Sequence, residues 1–125
     1  WGYDNRTTGL RIPASGPAAR RVENRVAGAD ANPYLAMAAS LAAGLKGLQE
    51  QLQPSEPLTG NGYDQAHGLP RSMDEALQKM QHSATARAIF GEAFVTGYCA
   101  VKALELDSYQ REISAWERRY LLPQV

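Results

Sequence analysis

The change of character at Asn32-Pro33 limits what this chain can fold into more than any other feature of its sequence. Asn is a favourable helix cap, and Pro suits the first position of a helix. Apolar residues then recur at helical spacing: Leu35, Ala38, Leu41, Ala42, Leu45 and Leu48. These signals predict a helix that begins at Asn32 and ends near Leu52, before Pro54.

Helix signals continue along the rest of the chain. Ser72 and Glu75 have the spacing of a capping box, and Gly91 precedes an apolar stripe that is typical of a long helix. Two more helices are predicted, one from Ser72 to about His82 and one from roughly Glu92 to Tyr120. Ser83 is predicted to cap a short turn through Ile89 between them. Residues 53–71 hold three Pro and three Gly, and are predicted to form a long surface loop.

Residues 1–31 are rich in Gly, Pro and Arg, and the pattern of this segment predicts short strands. One strand is predicted from Thr7 to Pro13 and a second from Arg20 to Val26, paired as an antiparallel hairpin. If extended, the second strand carries Arg21, Glu23 and Arg25 on a polar face and Val22, Asn24 and Val26 on the opposite face, so the strand is expected to be half buried and half polar. The fold class is therefore α+β, with short antiparallel strands in residues 1–31 that complete a larger sheet and a mainly helical region in residues 32–125.

Composition and charge exclude several classes of protein. The 13 Lys and Arg balance the 13 Asp and Glu, which argues against a general nucleic-acid or anionic-membrane footprint. The longest apolar stretch, from Tyr34 to Leu45, is too short to span a bilayer. Cys99 has no partner for an internal disulfide and is expected to be a small buried residue on a helix. The chain opens at Trp1 without an initiator Met, so we expect a piece of a longer protein.

Arginines concentrate near the N-terminus. Five lie between residues 6 and 25, and Glu23 is the only acidic residue among them. Guanidinium groups bind phosphate and carboxylate oxygens, so the group suits a triphosphate or an amino-acid carboxylate. Glu23 would be held ionised by its neighbours and could bind Mg²⁺ together with a nucleotide. The alternative is a ladder of surface ion pairs worth little each, and spacing alone favours that alternative.

Other polar residues give weaker signals. His67 and His82 have no second ligand at metal spacing, so both are expected to be structural or solvated. Tyr63 and Asp64 lie in the polar loop and are expected to be exposed to solvent. The sequence contains neither a P-loop nor a dinucleotide-binding glycine fingerprint.

Three segments of the sequence are specific enough to indicate a protein family. Residues 5–13 resemble the "NR(S/T)xxxRIP" segment of glutamine synthetases, residues 20–25 resemble their "ARRxExR" strand, and residues 29–36 resemble their "DxxANPYLxxAA" helix start. The motifs stand in the family's order and near its spacing. The resemblance implies that residues 1–125 are a C-terminal fragment of a glutamine synthetase-like catalytic domain, covering about the last quarter of an enzyme. Residues 1–31 would then form its strands and active-site loop.

The resemblance also implies roles for individual residues. Arg6 would act catalytically, in contact with the nucleotide phosphates and the glutamyl phosphate. Arg11 and Arg21 would bind ATP, Glu23 would be a ligand of a divalent metal (Mg²⁺ or Mn²⁺), and Arg25 would hold the glutamate carboxylate. The implied enzyme uses ATP to join glutamate to an amine through γ-glutamyl phosphate. The remaining metal ligands and the nucleotide pocket lie upstream in that family, so this chain alone is expected to be inactive.

Differences from the family pattern bear on which amine the implied enzyme uses. Ammonia-using members typically have an apolar or aromatic residue at Asn24 and a Lys within the stretch that reads Pro17-Ala18-Ala19 here. The wording of residues 22–36 looks more like γ-glutamylpolyamine synthetases, such as those for putrescine. That favours a polyamine or a related amine. If putrescine stimulates turnover, Asn24 and its surroundings become the place to look for selectivity. Adenylylation at Tyr63, as in some bacterial glutamine synthetases, is not expected.

Two alternatives remain open, an ammonia-using glutamine synthetase and a non-catalytic helical assembly domain. The family further implies a cytoplasmic homo-oligomer of stacked rings, such as a dodecamer, that binds glutamate, ATP and an amine but neither nucleic acid nor membrane.

Overall fold

A computed structural model describes residues 1–66 and 68–124, so His67 lies outside the described residues. The chain divides into two compact units, one of residues 1–67 and one of residues 68–125. The first unit holds all the strands and the first helix of the described chain, and the second is helical. The expected combination of short strands and helices is confirmed.

The first unit contains a three-stranded sheet in the order β1-β2-β3: β1 Gly2–Tyr3, β2 Leu10–Ile12 and β3 Glu23–Asn24. β2 and β3 pair antiparallel, with Leu10 opposite Asn24 and Arg11 opposite Glu23, so the predicted hairpin is confirmed. Both strands are shorter than predicted. β1 pairs parallel to β2, which the expectation of antiparallel strands missed, because two residues carry no periodic signal.

The valine face of the second strand differs from the prediction. Val22 and Val26 are exposed, although a half-buried face was expected. β3 is only two residues long, so neither valine lies within the paired strand, and neither is buried by the described residues. Asn24, on the same face, instead reaches the following helix.

The helix α1 runs over Pro33–Gln49, and the predicted cap is confirmed. The Asn32 side-chain oxygen accepts hydrogen bonds from the backbone N–H groups of Tyr34 and Leu35. The helix ends three residues before Leu52, because Gln51 adopts a positive φ of 54°. Many of its apolar side chains are exposed in this chain, namely Tyr34, Met37, Leu41, Leu45 and Leu48.

The second unit consists of four helices in its described part: α2 Met73–Gln81, α3 Ala84–Phe90, α4 Glu92–Gln110 and α5 Ala115–Tyr120. Ser72 and Ser83 cap α2 and α3 as predicted. At Ser72 only half of the predicted capping box forms, because the Glu75 carboxylate accepts from the N–H of Arg71 instead.

The prediction of one helix from Glu92 to Tyr120 is wrong. The helix stops at Gln110, and a full capping box starts a new one at Ser114. The Glu117 N–H donates to the Ser114 hydroxyl over 3.1 Å, and the Ser114 N–H donates to the Glu117 carboxylate over 2.7 Å. These two bonds satisfy N–H groups that a continuous helix would otherwise pair with carbonyls.

The core of the second unit lies on α4, against which α2 and α3 pack. Val95 is fully buried and Cys99 nearly so, which confirms the expected burial of the cysteine. The rings of Phe90, Phe94 and Tyr98 follow one another along the helices with centroids 5.6–5.7 Å apart. Among the described residues, no helix is both long and apolar enough to cross a membrane.

Candidate active site

The sheet of the first unit carries a cluster of alternating charges, Asp4, Arg11, Glu23 and Arg25, called here the arginine–carboxylate cluster. Nη1 of Arg11 donates to Oε2 of Glu23 over 2.8 Å, and Nη1 of Arg25 donates to Oε1 of the same carboxylate over 2.7 Å. Nη2 of Arg11 also donates to Asp4. Arg11 therefore lies between two carboxylates, and Glu23 lies between two guanidinium groups.

Strand register explains why these side chains meet. Arg11 and Glu23 are directly opposite in the antiparallel pair, so their side chains point to the same face. Arg25 is two residues beyond Glu23, and its N–H donates to the Gly9 carbonyl over 2.8 Å, which continues the pairing. Asp4 follows β1 and has a positive φ of 46°, with its N–H donating to the Ile12 carbonyl. The alternation Arg21, Glu23, Arg25 predicted the Glu23–Arg25 contact.

Burial differs across the cluster. The Arg11 side chain is only 12% exposed, whereas those of Glu23 and Arg25 are 30% and 36% exposed. The Nε of Arg11 is buried and has no hydrogen-bond partner among the described residues. Arg11 is thus the enclosed part of the cluster, and the opposite side opens to solvent.

The charges stabilise one another. Hydrogen bonding from Arg25, followed by that from Arg11, lowers the pKa of Glu23 below its ordinary value. The hydrogen bond from Arg11 lowers the pKa of Asp4, and the bond to Asp4 raises the pKa of Arg11. Glu23 is therefore ionised at neutral pH, as expected from its arginine neighbours.

Arg6 and Arg21 are placed differently. Arg6 is exposed and lines an open pocket of about 530 Å³ together with Asp4, Asn5 and residues 57–60. Its charge also contributes to the lowered pKa of Asp4. The Arg21 guanidinium donates to the Ala19 carbonyl over 3.2 Å and makes no ion pair within the described chain. The structure thus joins Arg11, Glu23 and Arg25, sets Arg6 beside Asp4, and leaves Arg21 outside the cluster.

Asn5 connects the Arg6 loop to the long polar loop. Its Nδ2 donates to the Gly60 carbonyl over 2.8 Å, and its Oδ1 accepts from the hydroxyl and the N–H of Thr7. The Thr7 hydroxyl accepts in turn from the Gly62 N–H over 2.7 Å. Residues 57–62 are therefore held against the Arg6 loop, whereas Tyr63 is 75% exposed as expected.

The cluster can supply part of a metal site. No group of three or more His, Cys, Asp or Glu side chains is placed to hold a metal in the part of the chain that the structure describes. Each Glu23 oxygen accepts one hydrogen bond and keeps a second acceptor position. Mg²⁺ commonly takes one or two protein carboxylates, with water and phosphate oxygens as its other ligands, so Glu23 fits one such ligand. His82 is exposed with Nδ1 2.8 Å from the Gln78 carbonyl, which agrees with a structural role.

Guanidinium groups and carboxylates that meet on an open face of a sheet could bind anionic ligands and contribute to a divalent-cation site. The family described as "Glutamine synthetase, catalytic domain" matches residues 1–121. The chain belongs to this family, as its three motifs predicted.

Characterised relatives include ligases for amines. The chain is 43% identical to a glutamate–isopropylamine ligase from a Pseudomonas species, covering 97% of this chain and 28% of that protein. It is 44% identical to the gamma-glutamylputrescine synthetase of Escherichia coli, covering 98% of this chain and 26% of that protein. Relatives named glutamine synthetase are 32–40% identical.

The fold agrees with a solved structure titled "Apo GmaS without ligand". The TM-score is 0.80 at 33% identity, and the match covers 98% of this chain and 29% of that one. The chain therefore spans between a quarter and a third of the length of these relatives.

Proposed function

We propose that the protein containing this chain is an ATP-dependent ligase that joins the γ-carboxylate of glutamate to an amine. ATP would phosphorylate that carboxylate, giving ADP and γ-glutamyl phosphate. The amine would then displace phosphate, lose a proton and leave an amide. The observation that carries the proposal is the arginine–carboxylate cluster on a chain of the glutamine synthetase family.

The arginines would stabilise negative charge during phosphoryl transfer, which depends mainly on positioning and electrostatics. Arg6 is exposed beside the pocket and would contact both the phosphates of ATP and the glutamyl phosphate. Arg11 would bind ATP phosphate, with its position set by Asp4 and Glu23. Arg21 would assist at the phosphates from outside the cluster.

Arg25 and Glu23 would bind the two other parts of the reacting complex. Arg25 uses one Nη1 hydrogen bond for Glu23, which leaves its other N–H donors for the glutamate carboxylate. Glu23 would be one ligand of Mg²⁺ or Mn²⁺, with the lowered pKa keeping it ionised. The metal, when bound, would neutralise charge on the phosphate oxygens.

The amine is proposed to be a polyamine such as putrescine or a related alkylamine. Two relatives at 43% and 44% identity are named for isopropylamine and putrescine, while those named glutamine synthetase are 32–40% identical. Asn24, where ammonia-using members typically carry an apolar or aromatic residue, also supports this branch. Ammonia is the second candidate, because glutamine synthetases belong to the same family.

The full-length protein is further proposed to be a homo-oligomer of stacked rings, a dodecamer for example, in the cytoplasm, where ATP and glutamate are available. Nucleic acid and membranes are not among its proposed partners, in keeping with its balanced charge.

The test is phosphate release by the full-length protein with Mg²⁺, ATP and glutamate, with putrescine, isopropylamine or ammonium added in turn. Release that requires both glutamate and putrescine or isopropylamine supports the amine branch. Release with ammonium alone assigns the second candidate. Hydroxylamine provides an independent check, because it traps an acyl phosphate as a hydroxamate. No glutamate-dependent release and no hydroxamate would contradict ligase function and favour the non-catalytic alternative.

A further inference from the structure

Asn24 forms a cross-element contact that the roles of its neighbours do not explain. Its Nδ2 donates to the Ser40 hydroxyl on α1 over 2.8 Å. Its Oδ1 accepts from the Val26 N–H over 2.9 Å. The Ser40 hydroxyl donates to the Ala36 carbonyl of its own helix over 2.8 Å. One amide thus connects the backbone just after β3 to a side chain anchored on α1.

The direction of this side chain separates it from the arginine–carboxylate cluster. Successive side chains of an extended strand point to opposite faces. Glu23 and Arg25 contact each other on one face, and Asn24, between them, points to α1 on the other. Asn24 therefore does not offer its amide on the face where the charged groups gather.

An amine-binding role for Asn24 fits the structure less well. An open pocket of about 390 Å³ lies next to it, lined by Asn24, Ala27, Ala36, Met37, Ser40 and Leu41. The Asn24 Nδ2, the Asn24 Oδ1 and the Ser40 hydroxyl proton each already make one hydrogen bond within the chain. None of the described residues that line the pocket carries a carboxylate, whereas a protonated amine needs acceptors to replace its water.

We propose that Asn24 and Ser40 form a positioning contact, which holds β3 at a set distance from α1 and thereby places the Glu23 and Arg25 side chains. The contact acts through these two residues and touches no substrate. The inference rests on the proposed function for the roles of Glu23 and Arg25. In this role Asn24 does not select the amine.

The experiment uses the full-length protein with Ser40→Ala, which removes the hydroxyl without touching β3. Ser40→Thr, which keeps a hydroxyl, serves as the rescue variant. Ser108→Ala is a matched control, because Ser108 also donates to the carbonyl four residues earlier on a helix, over 2.8 Å. Together with Asn24→Ala and the double variant that carries both Ala substitutions, Ser40→Ala forms a double-mutant cycle, which isolates the contribution of the Asn24–Ser40 contact. The readouts are hydrogen exchange of residues 22–27 and the KM values for glutamate and for the amine.

Ser40→Ala is expected to speed exchange in residues 22–27 and to raise the KM for glutamate about two- to ten-fold, the factor that one hydrogen bond typically supplies. The KM for the amine should stay unchanged. The double variant should lose no more than either single one, and both control and rescue should resemble the wild type. Lower thermal stability with unchanged KM values would overturn the proposal.

Two further outcomes also test the positioning role of Asn24 and Ser40. A change in amine preference with Asn24→Ala but not with Ser40→Ala would assign Asn24 to the amine site and overturn the positioning role. If the wild type shows no glutamate-dependent turnover, the proposed function fails. The hydrogen-exchange data alone then test the Asn24–Ser40 contact. Faster exchange in residues 22–27 with Ser40→Ala would still support the contact, and unchanged exchange would refute it.

Discussion

Arg11 and Glu23 are direct partners across the antiparallel β2–β3 pair, and their side chains meet at 2.8 Å. Opposite charges at such positions contribute little to stability when they are partly exposed. The contact has a second effect, because the other Glu23 oxygen is bonded to Arg25 and the carboxylate is therefore held at both ends. A purely structural ion pair and an oriented metal ligand share this geometry, and substitutions distinguish them.

Glu23→Ala in the full-length protein is expected to reduce phosphoryl transfer by about 100-fold or more, because the variant would lose the metal ligand that is proposed to lie beside the transferring phosphate. Arg11 keeps Asp4 as a partner, so the melting temperature should change by only a few degrees. Asp107→Ala is the control, since Asp107 makes a 2.6 Å ion pair with Arg111 on α4. A large fall in melting temperature with activity retained in the remaining folded protein would instead support the structural ion pair.

Arg25→Ala is expected to raise the KM for glutamate by about 10- to 100-fold, the effect of losing hydrogen bonds to a charged group. The KM for ATP should change little. Steady-state kinetics with each substrate varied in turn provide the measurement. Arg111→Ala, which removes an exposed arginine of an ion pair elsewhere, should leave both KM values alone. An unchanged glutamate dependence in Arg25→Ala would remove glutamate binding from its proposed roles.

The stability of the protein should depend on the cluster in acid. Arg25 and Arg11 lower the pKa of Glu23, and Arg11 lowers that of Asp4. A lowered pKa in the folded state means that the unfolded chain binds protons first as the pH falls. The stabilisation is therefore complete above the ordinary carboxyl values, about pH 4–4.5, and is lost progressively below them as the pH falls through the folded values.

Melting temperature measured from pH 7 down to pH 3 checks this dependence. Glu23→Gln should flatten the acid part of the curve, because the variant has no carboxyl to protonate at that position. Glu112→Gln is the control, since Glu112 is exposed and makes no ion pair in the described chain. Parallel acid curves for Glu23→Gln and the wild type would show that the cluster contributes nothing to the pH dependence.

Local patterns predicted much of the first unit. The Asn32 cap and the β2–β3 pairing followed from residue types and alternation, which act over a few residues. The position of Asp4 beside Arg11 could not be predicted in the same way. It depends on β1, which has only two residues and pairs in parallel with a strand several residues later. Non-local pairing of so short a segment leaves no periodic signal in the sequence.

The break after α4 has a different cause. The apolar stripe continues through Ile113 and Trp116, and periodicity alone therefore favoured one long helix. Ser114 and Glu117 carry a capping-box signal that competes with the stripe, and in the structure the capping bonds form. A Ser followed three residues later by Glu would have predicted the new start.

Asn5→Ala should release the loop that lines the Arg6 pocket. Asn5 donates to the Gly60 carbonyl, 55 residues further along the chain, and it also accepts from Thr7 within its own loop. Loss of these bonds is expected to lower the free energy of local opening of residues 57–62 by about 1–3 kcal/mol. Hydrogen exchange of that segment is the measurement. Gln53→Ala is the control, because Gln53 bonds only to the nearby Gln51 carbonyl within the described chain; equal exchange in the two variants would contradict the prediction.

Gly62→Ala should open the same loop by a steric route. A Cβ at Gly62 would overlap the Thr7 carbonyl oxygen, a contact that the backbone must move to relieve. The movement would stretch the bond from the Gly62 N–H to the Thr7 hydroxyl, so we expect a loss of about 1–3 kcal/mol in local stability. Gly16→Ala is the matched control, since Gly16 has a φ of −66° and open space around it. Hydrogen exchange of residues 57–62 should be faster in Gly62→Ala and unchanged in Gly16→Ala. Unchanged exchange in both variants would contradict the steric effect expected at Gly62.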